Sequence, residues 1–182
     1  MSIPPKAFTV RHPGRVRQLV TDVRVAQAFQ PGSPVPAQKP FRAIWDTGAT
    51  GSVITQSVVD GCGLVSTGMA QVHHAQGMSI TETYLVSILL HLGLGFHSVR
   101  VSKGILPTGA DLLIGMDIIT MGDFSITNKD GKTCFSFRIP SAGEVDYQKA
   151  LTGNVDSNAP CPCGSGKKYR KCCQGRGAPK TT

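Results

Sequence analysis

In Phe41-Arg42-Ala43-Ile44-Trp45-Asp46-Thr47-Gly48-Ala49-Thr50 a short apolar run ends on an aspartate that is followed at once by a small hydroxyl residue and a glycine. The run reads as a strand that delivers Asp46 into a tight turn. A carboxylate in that position sits in low-dielectric surroundings, and two of them brought face to face cannot both ionise, so they share a proton. The ionised member can take a proton from water while the neutral one donates to a substrate carbonyl, which is acid and base catalysis by one pair. The Thr47 hydroxyl can hydrogen-bond nearby backbone and lock the turn, and Gly48 lets backbone approach without a Cβ. Taken alone, Asp-Thr-Gly also fits an ordinary hairpin turn or helix start.

Outward from this turn the pattern is mainly β. Upstream, residues 8–10 and 20–29 carry alternating or β-branched stretches and read as strands, separated from residue 41 by the Pro31-Gly32-Ser33-Pro34-Val35-Pro36 loop. Downstream, residues 52–59 fit a short helix ending at Gly61 or a strand, the helix being preferred. Residues 72–90 read as a hairpin with Gln76-Gly77 as its turn. A strand over 96–101 precedes a Gly/Pro-rich loop at 103–110, and Leu112-Leu113-Ile114 is a buried run stopped by Gly115. After the turn Asn128-Lys129-Asp130-Gly131-Lys132 comes a strand over 133–139 with Phe135, Phe137 and Ile139 on one face.

Three features in this order resemble the retroviral-type (retropepsin-like) aspartic proteases, whose chains run strand, Asp-Thr/Ser-Gly-Ala, flap hairpin, then two apolar residues and a glycine. Here Ile44 to Ala49 matches the first, 72–84 the second and Leu113-Ile114-Gly115 the third, and the likeness extends over residues 8–139. It implies a single-domain acid-protease β barrel that forms a twofold dimer. It implies that Asp46 is the catalytic aspartate, that Thr47 makes a hydroxyl grip across the dimer axis, and that Gly48 lines the cleft. Gly115 would pack beneath the catalytic turn. His74, Gly77, Met78 and Ile80 would belong to the flap and face a peptide or protein substrate. His73 and His74 read first as solvent-facing flap residues, with tuning of the dyad or metal binding as the alternatives. Asp117 is expected as a surface or interface ion-pair partner, and Trp45 as either a core or a pocket residue. The chain supplies one such aspartate, so the second must come from another copy. The strands near Phe8 and over 133–139 are candidates for an intersubunit sheet or for closing the monomer's own core. Ala49 offers no hydroxyl to the dyad, which points to a weakly acidic optimum.

The remaining chemistry is at the end of the chain. In Cys161-Pro162-Cys163-Gly164-Ser165-Gly166-Lys167-Lys168-Tyr169-Arg170-Lys171-Cys172-Cys173, two close thiol pairs are bridged by eight residues that include Gly-Ser-Gly. Four thiols so spaced can close one tetrahedral shell, and a segment this short has no core to fold it without metal. Disulfides are the alternative. The segment resembles the SEC-C motif, which implies structural Zn2+ on Cys161, Cys163, Cys172 and Cys173, no metal in catalysis, and docking to other proteins. A ribosome, secretion or chaperone component would be the docking partner.

The domain reading is therefore a protease domain over 1–140, a linker over 141–159, a zinc module over 160–176 and a basic tail over 177–182. The formal charge of +8 divides unevenly. Residues 1–150 hold 13 Lys/Arg against 10 Asp/Glu and residues 151–182 hold 6 against 1, so the basic excess is mostly a tail property. Tyr169 is the tail's one aromatic residue, which counts against RNA binding. No long apolar run is present to span a bilayer, and a cytoplasmic protein is expected. Cys62 and Cys134 read as small buried hydrophobes, and His12, His91 and His97 show no ligand spacing. Two function classes stand: a dimeric aspartic endopeptidase docked by its tail, or a non-catalytic dimeric adaptor on the same scaffold.

Overall fold

The structure is a computed structural model that describes residues 5–74, 77–90, 93–107, 109–147, 156–161 and 165–172, with His73 and His74 described through their backbone. It divides into two compact units, Met1–Ala142 and Gly143–Thr182.

The first unit is mainly β. Its strands are β1 (Lys6–Arg11), β2 (Leu19–Gln27), β3 (Lys39–Trp45), β4 (Val53–Ile54), β5 (Gly68–His74), β6 (Gly77–Leu89), β7 (Gly95–Lys103), β8 (Leu112–Ile114), β9 (Asp123–Thr127) and β10 (Cys134–Ile139). Two short helices, α1 (Gln56–Cys62) and α2 (Met116–Ile119), lie between them. The larger sheet runs β2-β3-β8-β4-β7-β6-β5, and β2 also pairs with β6, so six strands close on themselves while β5 stays outside the ring. The length of β6 explains this. Its first half, from Gly77 to Glu82, pairs only with β5, Thr83 pairs with both β5 and β7, and its second half pairs with β7 and β2. Along that second half Tyr84, Val86 and Ile88 alternate inward and are buried.

In the three-stranded sheet β1-β10-β9, the strand near Phe8 and the strand over 133–139 pair with each other. Phe8 of β1 pairs with Phe137, and Val10 with Phe135, all within one chain. Phe135 and Phe137 are fully buried, and Trp45 packs on Phe8, Phe124, Phe135 and Phe137 with ring centroids 5.1–6.0 Å apart. These strands therefore close the monomer's own core. Trp45 is a core residue rather than a pocket residue, with its indole N–H donating to the Thr21 hydroxyl at 2.9 Å.

Several elements differ from the sequence reading. Residues 52–59 are neither one helix nor one strand: Val53–Ile54 pairs with β7 and β8, and the helix begins at Gln56 and reaches Cys62. The hairpin's first strand starts at Gly68, four residues before 72. Strand β9 and helix α2 have no counterpart in the sequence reading. Their stretch, Met116–Thr127, is too short and mixed to show a period. Gly122 marks the junction, since a Cβ there would lie 2.0 Å from the Arg138 carbonyl oxygen. Cys62 and Cys134 are half-buried rather than buried; burial still pushes the Cys62 thiol above its ordinary range.

In the second unit, Pro160 and Lys168 form an antiparallel bridge, the Cys161 N–H donates to the Lys167 carbonyl at 2.7 Å, and Tyr169 N–H donates to Ala159 at 2.9 Å. A single 3-10 turn, Tyr169–Lys171, follows, with Cys161 and Tyr169 buried.

Candidate active site

The end of β3 is held against the end of β8 by parallel pairing, Trp45 opposite Ile114. The Asp46 N–H continues this ladder to the Ile114 carbonyl at 3.0 Å. The chain then turns. Ala49 N–H donates back to the Asp46 carbonyl at 3.3 Å, and the Gly48 N–H donates to Asp46 Oδ1 at 2.8 Å. A backbone N–H bonded to a carboxylate oxygen fixes the rotamer of the acid. Asp46 is half-buried, Thr47 and Gly48 are exposed, and Ala49 is half-buried. The Asp46 side chain thus remains reachable from solvent while its main chain is tied down.

The turn rests on the segment after β8. Met116 N–H donates to Ala49 O at 2.8 Å and Asp117 N–H to Thr50 O at 3.2 Å. Gly115 is the contact point: a Cβ there would stand 2.7 Å from the carbonyl carbon and oxygen of Gly51 and 3.0 Å from Ala49 O. That is the position beneath the turn that the sequence resemblance implied, and here it follows from backbone crowding.

Asp117 is exposed, as expected, and among the described residues its contacts are hydrogen bonds rather than an ion pair. Its carboxylate accepts the Ser52 N–H at 3.0 Å and the Ser52 hydroxyl at 2.8 Å, and also the N–H of Ile118 at 3.1 Å. Ser52 is buried, and its hydroxyl oxygen accepts the Gly115 N–H at 3.1 Å. Ser52 and Asp117 therefore clamp the far end of the aspartate turn to α2. Sequence reasoning missed Ser52. The one available signal was a small hydroxyl residue six positions after the aspartate.

The β5–β6 hairpin pairs from Gly68 opposite Thr83 to His74 opposite Gly77, with residues 75 and 76 outside the described set. Met78 and Ile80 lie on β6 and are 57% and 70% exposed. By alternation they continue the face that buries Tyr84, Val86 and Ile88, so an apolar stripe leaves the core and stays uncovered. Gly77 begins β6 with a φ of 124°, a backbone that favours glycine. The expected role of the His74 side chain lies outside the described side chains. At the hairpin base Lys103 pairs with Glu82, and the Tyr84 hydroxyl donates to Glu82 at 3.1 Å. These two donors hold the Glu82 carboxyl below its ordinary range, while burial and then the Glu82 contact push Tyr84 up.

Of the four cysteines, Cys161 is buried, and Cys172 Sγ lies 3.2 Å from the Ser165 hydroxyl; Cys163 and Cys173 lie outside the described residues. The bridge between Pro160 and Lys168 brings the strand leading into Cys161 beside the turn leading into Cys172. That fold-back fits a site built from both thiol pairs. Among the described residues no group of three or more His, Cys, Asp or Glu side chains is gathered.

Residues 37–121 match the family described as "gag-polyprotein putative aspartyl protease", and residues 158–175 match the SEC-C motif. The chain thus carries a stretch similar to that aspartyl protease family, followed by a SEC-C motif. Two solved structures are similar to it. One is a retropepsin-like aspartic protease from Rickettsia conorii, 13% identical, covering 76% of this chain and 98% of that one with a TM-score of 0.46. The other is the EIAV protease in complex with the inhibitor HBY-793, 20% identical, covering 57% of this chain and 86% of that one with a TM-score of 0.42. Among curated relatives, the protein translocase subunit SecA of Desulfotalea psychrophila is 54% identical over 33 residues, 18% of this chain and 4% of that protein. The uncharacterized protein YccF of Bacillus subtilis is 81% identical over 21 residues, 12% of this chain and 6% of that protein. The chain thus spans only a small fraction of the length of these curated relatives. No described helix is long and apolar enough to cross a membrane.

Proposed function

We propose that this chain is an aspartic endopeptidase that works as a homodimer, with Asp46 of each copy forming the catalytic pair. The observation that carries the reading is the fixed Asp46 turn: an N–H bond at 2.8 Å orients the carboxylate, and the 115–117 segment holds the loop from behind. In the pair, the ionised carboxylate removes a proton from a water molecule as that water attacks the peptide carbonyl carbon. The neutral carboxyl donates its proton to the carbonyl oxygen. Collapse of the tetrahedral intermediate returns a proton to the leaving nitrogen and breaks the C–N bond. Thr47, exposed and without a hydrogen-bond partner among the described residues, would bond across the twofold axis, and Met78 and Ile80 would close over the substrate. With Ala49 beside the pair, the optimum is weakly acidic.

The SEC-C segment would hold Zn2+ through Cys161, Cys163, Cys172 and Cys173. When bound, the metal ties the fold of this module together and leaves the peptide chemistry to Asp46. The module would dock the enzyme to a partner protein in the cytoplasm, where thiols stay reduced. The test compares wild type with Asp46→Asn on a peptide library, with sedimentation reporting the oligomeric state. Cleavage by wild type and none by a dimeric Asp46→Asn is the expected result. A wild type that is dimeric yet never cleaves would leave the adaptor function in its place, and a monomeric wild type would remove the shared active site.

A further inference from the structure

A second concave site lies apart from the Asp46 turn, within the same unit. It is a cavity of about 930 Å3, formed where the β2–β3 loop, the end of β6, the start of β7 and the paired ends of β1 and β10 meet. None of residues 46–49 and none of the hairpin residues Met78 or Ile80 lines it. Its floor is apolar: Leu90 and Leu94 are buried, and Leu89 and Ile139 are half-buried beside them.

The charged groups on its wall are of one sign: Lys6 and Arg24 line the cavity, and among the described residues no Asp or Glu does. Register places each beside the apolar floor, Arg24 opposite Leu89 and Lys6 opposite Ile139. The Lys6 ammonium donates to the Gly93 carbonyl at 2.7 Å, which leaves two of its three donors. Neither cation makes an ion pair among the described residues, where the two pairs formed are Lys103 with Glu82 and Arg138 with Asp123. His97 lines the same cavity, its ring edge-on to Phe29 with centroids 4.6 Å apart, and its buried Nδ1 has no hydrogen-bond partner among the described residues. A concave apolar site of several hundred Å3 with a few converging polar groups is the usual form of a small-molecule site.

We propose that this cavity binds an aliphatic carboxylate, its chain against Leu89, Leu90, Leu94 and Ile139 and its anionic head at Lys6 and Arg24. Carboxylate chemistry satisfies both cations and an aliphatic chain matches the floor, whereas an alkyl cation is repelled by Lys6 and Arg24 and a small polar anion leaves the floor uncovered. The inference is independent of the protease chemistry at Asp46.

Octanoate, octylammonium and octanol, titrated into the full chain by calorimetry, test it. Octanoate should bind saturably with one site per chain, octanol at least tenfold more weakly, and octylammonium not at all. Lys6→Gln/Arg24→Gln changes two exposed side chains and should weaken octanoate at least tenfold while leaving octanol unchanged. Asp46→Asn should bind octanoate like wild type. Equal binding of octanol and octanoate, an unaffected double variant, loss of binding in Asp46→Asn, or no saturable binding to wild type would each overturn the proposal.

Discussion

Replacing Gly115 by alanine adds one methyl group at the point where the aspartate turn rests on the chain after β8. The new carbon would stand 2.7 Å from the Gly51 carbonyl carbon and oxygen and 3.0 Å from Ala49 O, all backbone atoms that no side-chain rotation can move. Overpacking of this kind costs about 1–3 kcal/mol. Separating the two segments also strains the Met116 to Ala49 and Asp117 to Thr50 hydrogen bonds, at about 1 kcal/mol each. The total is about 3–5 kcal/mol, a large share of the stability of a domain this size. Gly51→Ala is the matched control, because a Cβ there meets nothing within 4 Å. Urea unfolding followed by tryptophan fluorescence suits the measurement, since the single Trp45 lies directly before the turn. Gly115→Ala should lower the midpoint strongly and Gly51→Ala only slightly. Equal midpoints for the two variants would refute the claim that backbone crowding at Gly115 sets the turn.

Thr21→Val removes the acceptor of the Trp45 indole N–H and leaves a part-buried donor unpaired, so about 1–3 kcal/mol should be lost in the same unfolding measurement. Asp123 is held down to about 2 by the Ser141 hydroxyl, the Ala142 N–H and Arg138. A depressed carboxyl stabilises the fold above its unfolded value, near 3.8, and loses that contribution as pH falls toward about 2. The midpoint gap between wild type and Asp123→Asn should therefore be constant near neutral pH and close between pH 4 and 2. On the hairpin, Met78→Ser and Ile80→Ser remove exposed apolar groups, so the thermal midpoint should hold while KM for peptide substrates rises. A thiol count before and after chelation should rise by four if both cysteine pairs hold one metal, with peptide cleavage retained.

The strand-to-aspartate run before Asp46, the hairpin and the terminal cysteine pairs were legible because each is written in adjacent residues: a period of two, a turn dipeptide, a thiol spacing. The place of Gly115 beneath the turn came through family resemblance, and its physical basis appeared only when Gly51 and Ala49 were found against it. Asp117 shows why the rest was hidden. It reads as a surface charge and is exposed, but its hydrogen bonds to Ser52, 65 positions earlier, exist only once the chain has folded. Residues 52–59 were ambiguous for the same reason, since two residues become strand only when β7 and β8 are there to pair with. The apolar pattern around Trp45 was written in the chain, but its burial among Phe8, Phe124, Phe135 and Phe137 required three distant segments to converge. Sequence alone determined the local chemistry of the aspartate turn and the thiol cluster, because bonded neighbours specify turns and spacings. Tertiary structure decided which groups clamp the turn, which aromatic face is core, and where a cavity with unpaired cations opens, because those depend on contacts between residues far apart in the chain.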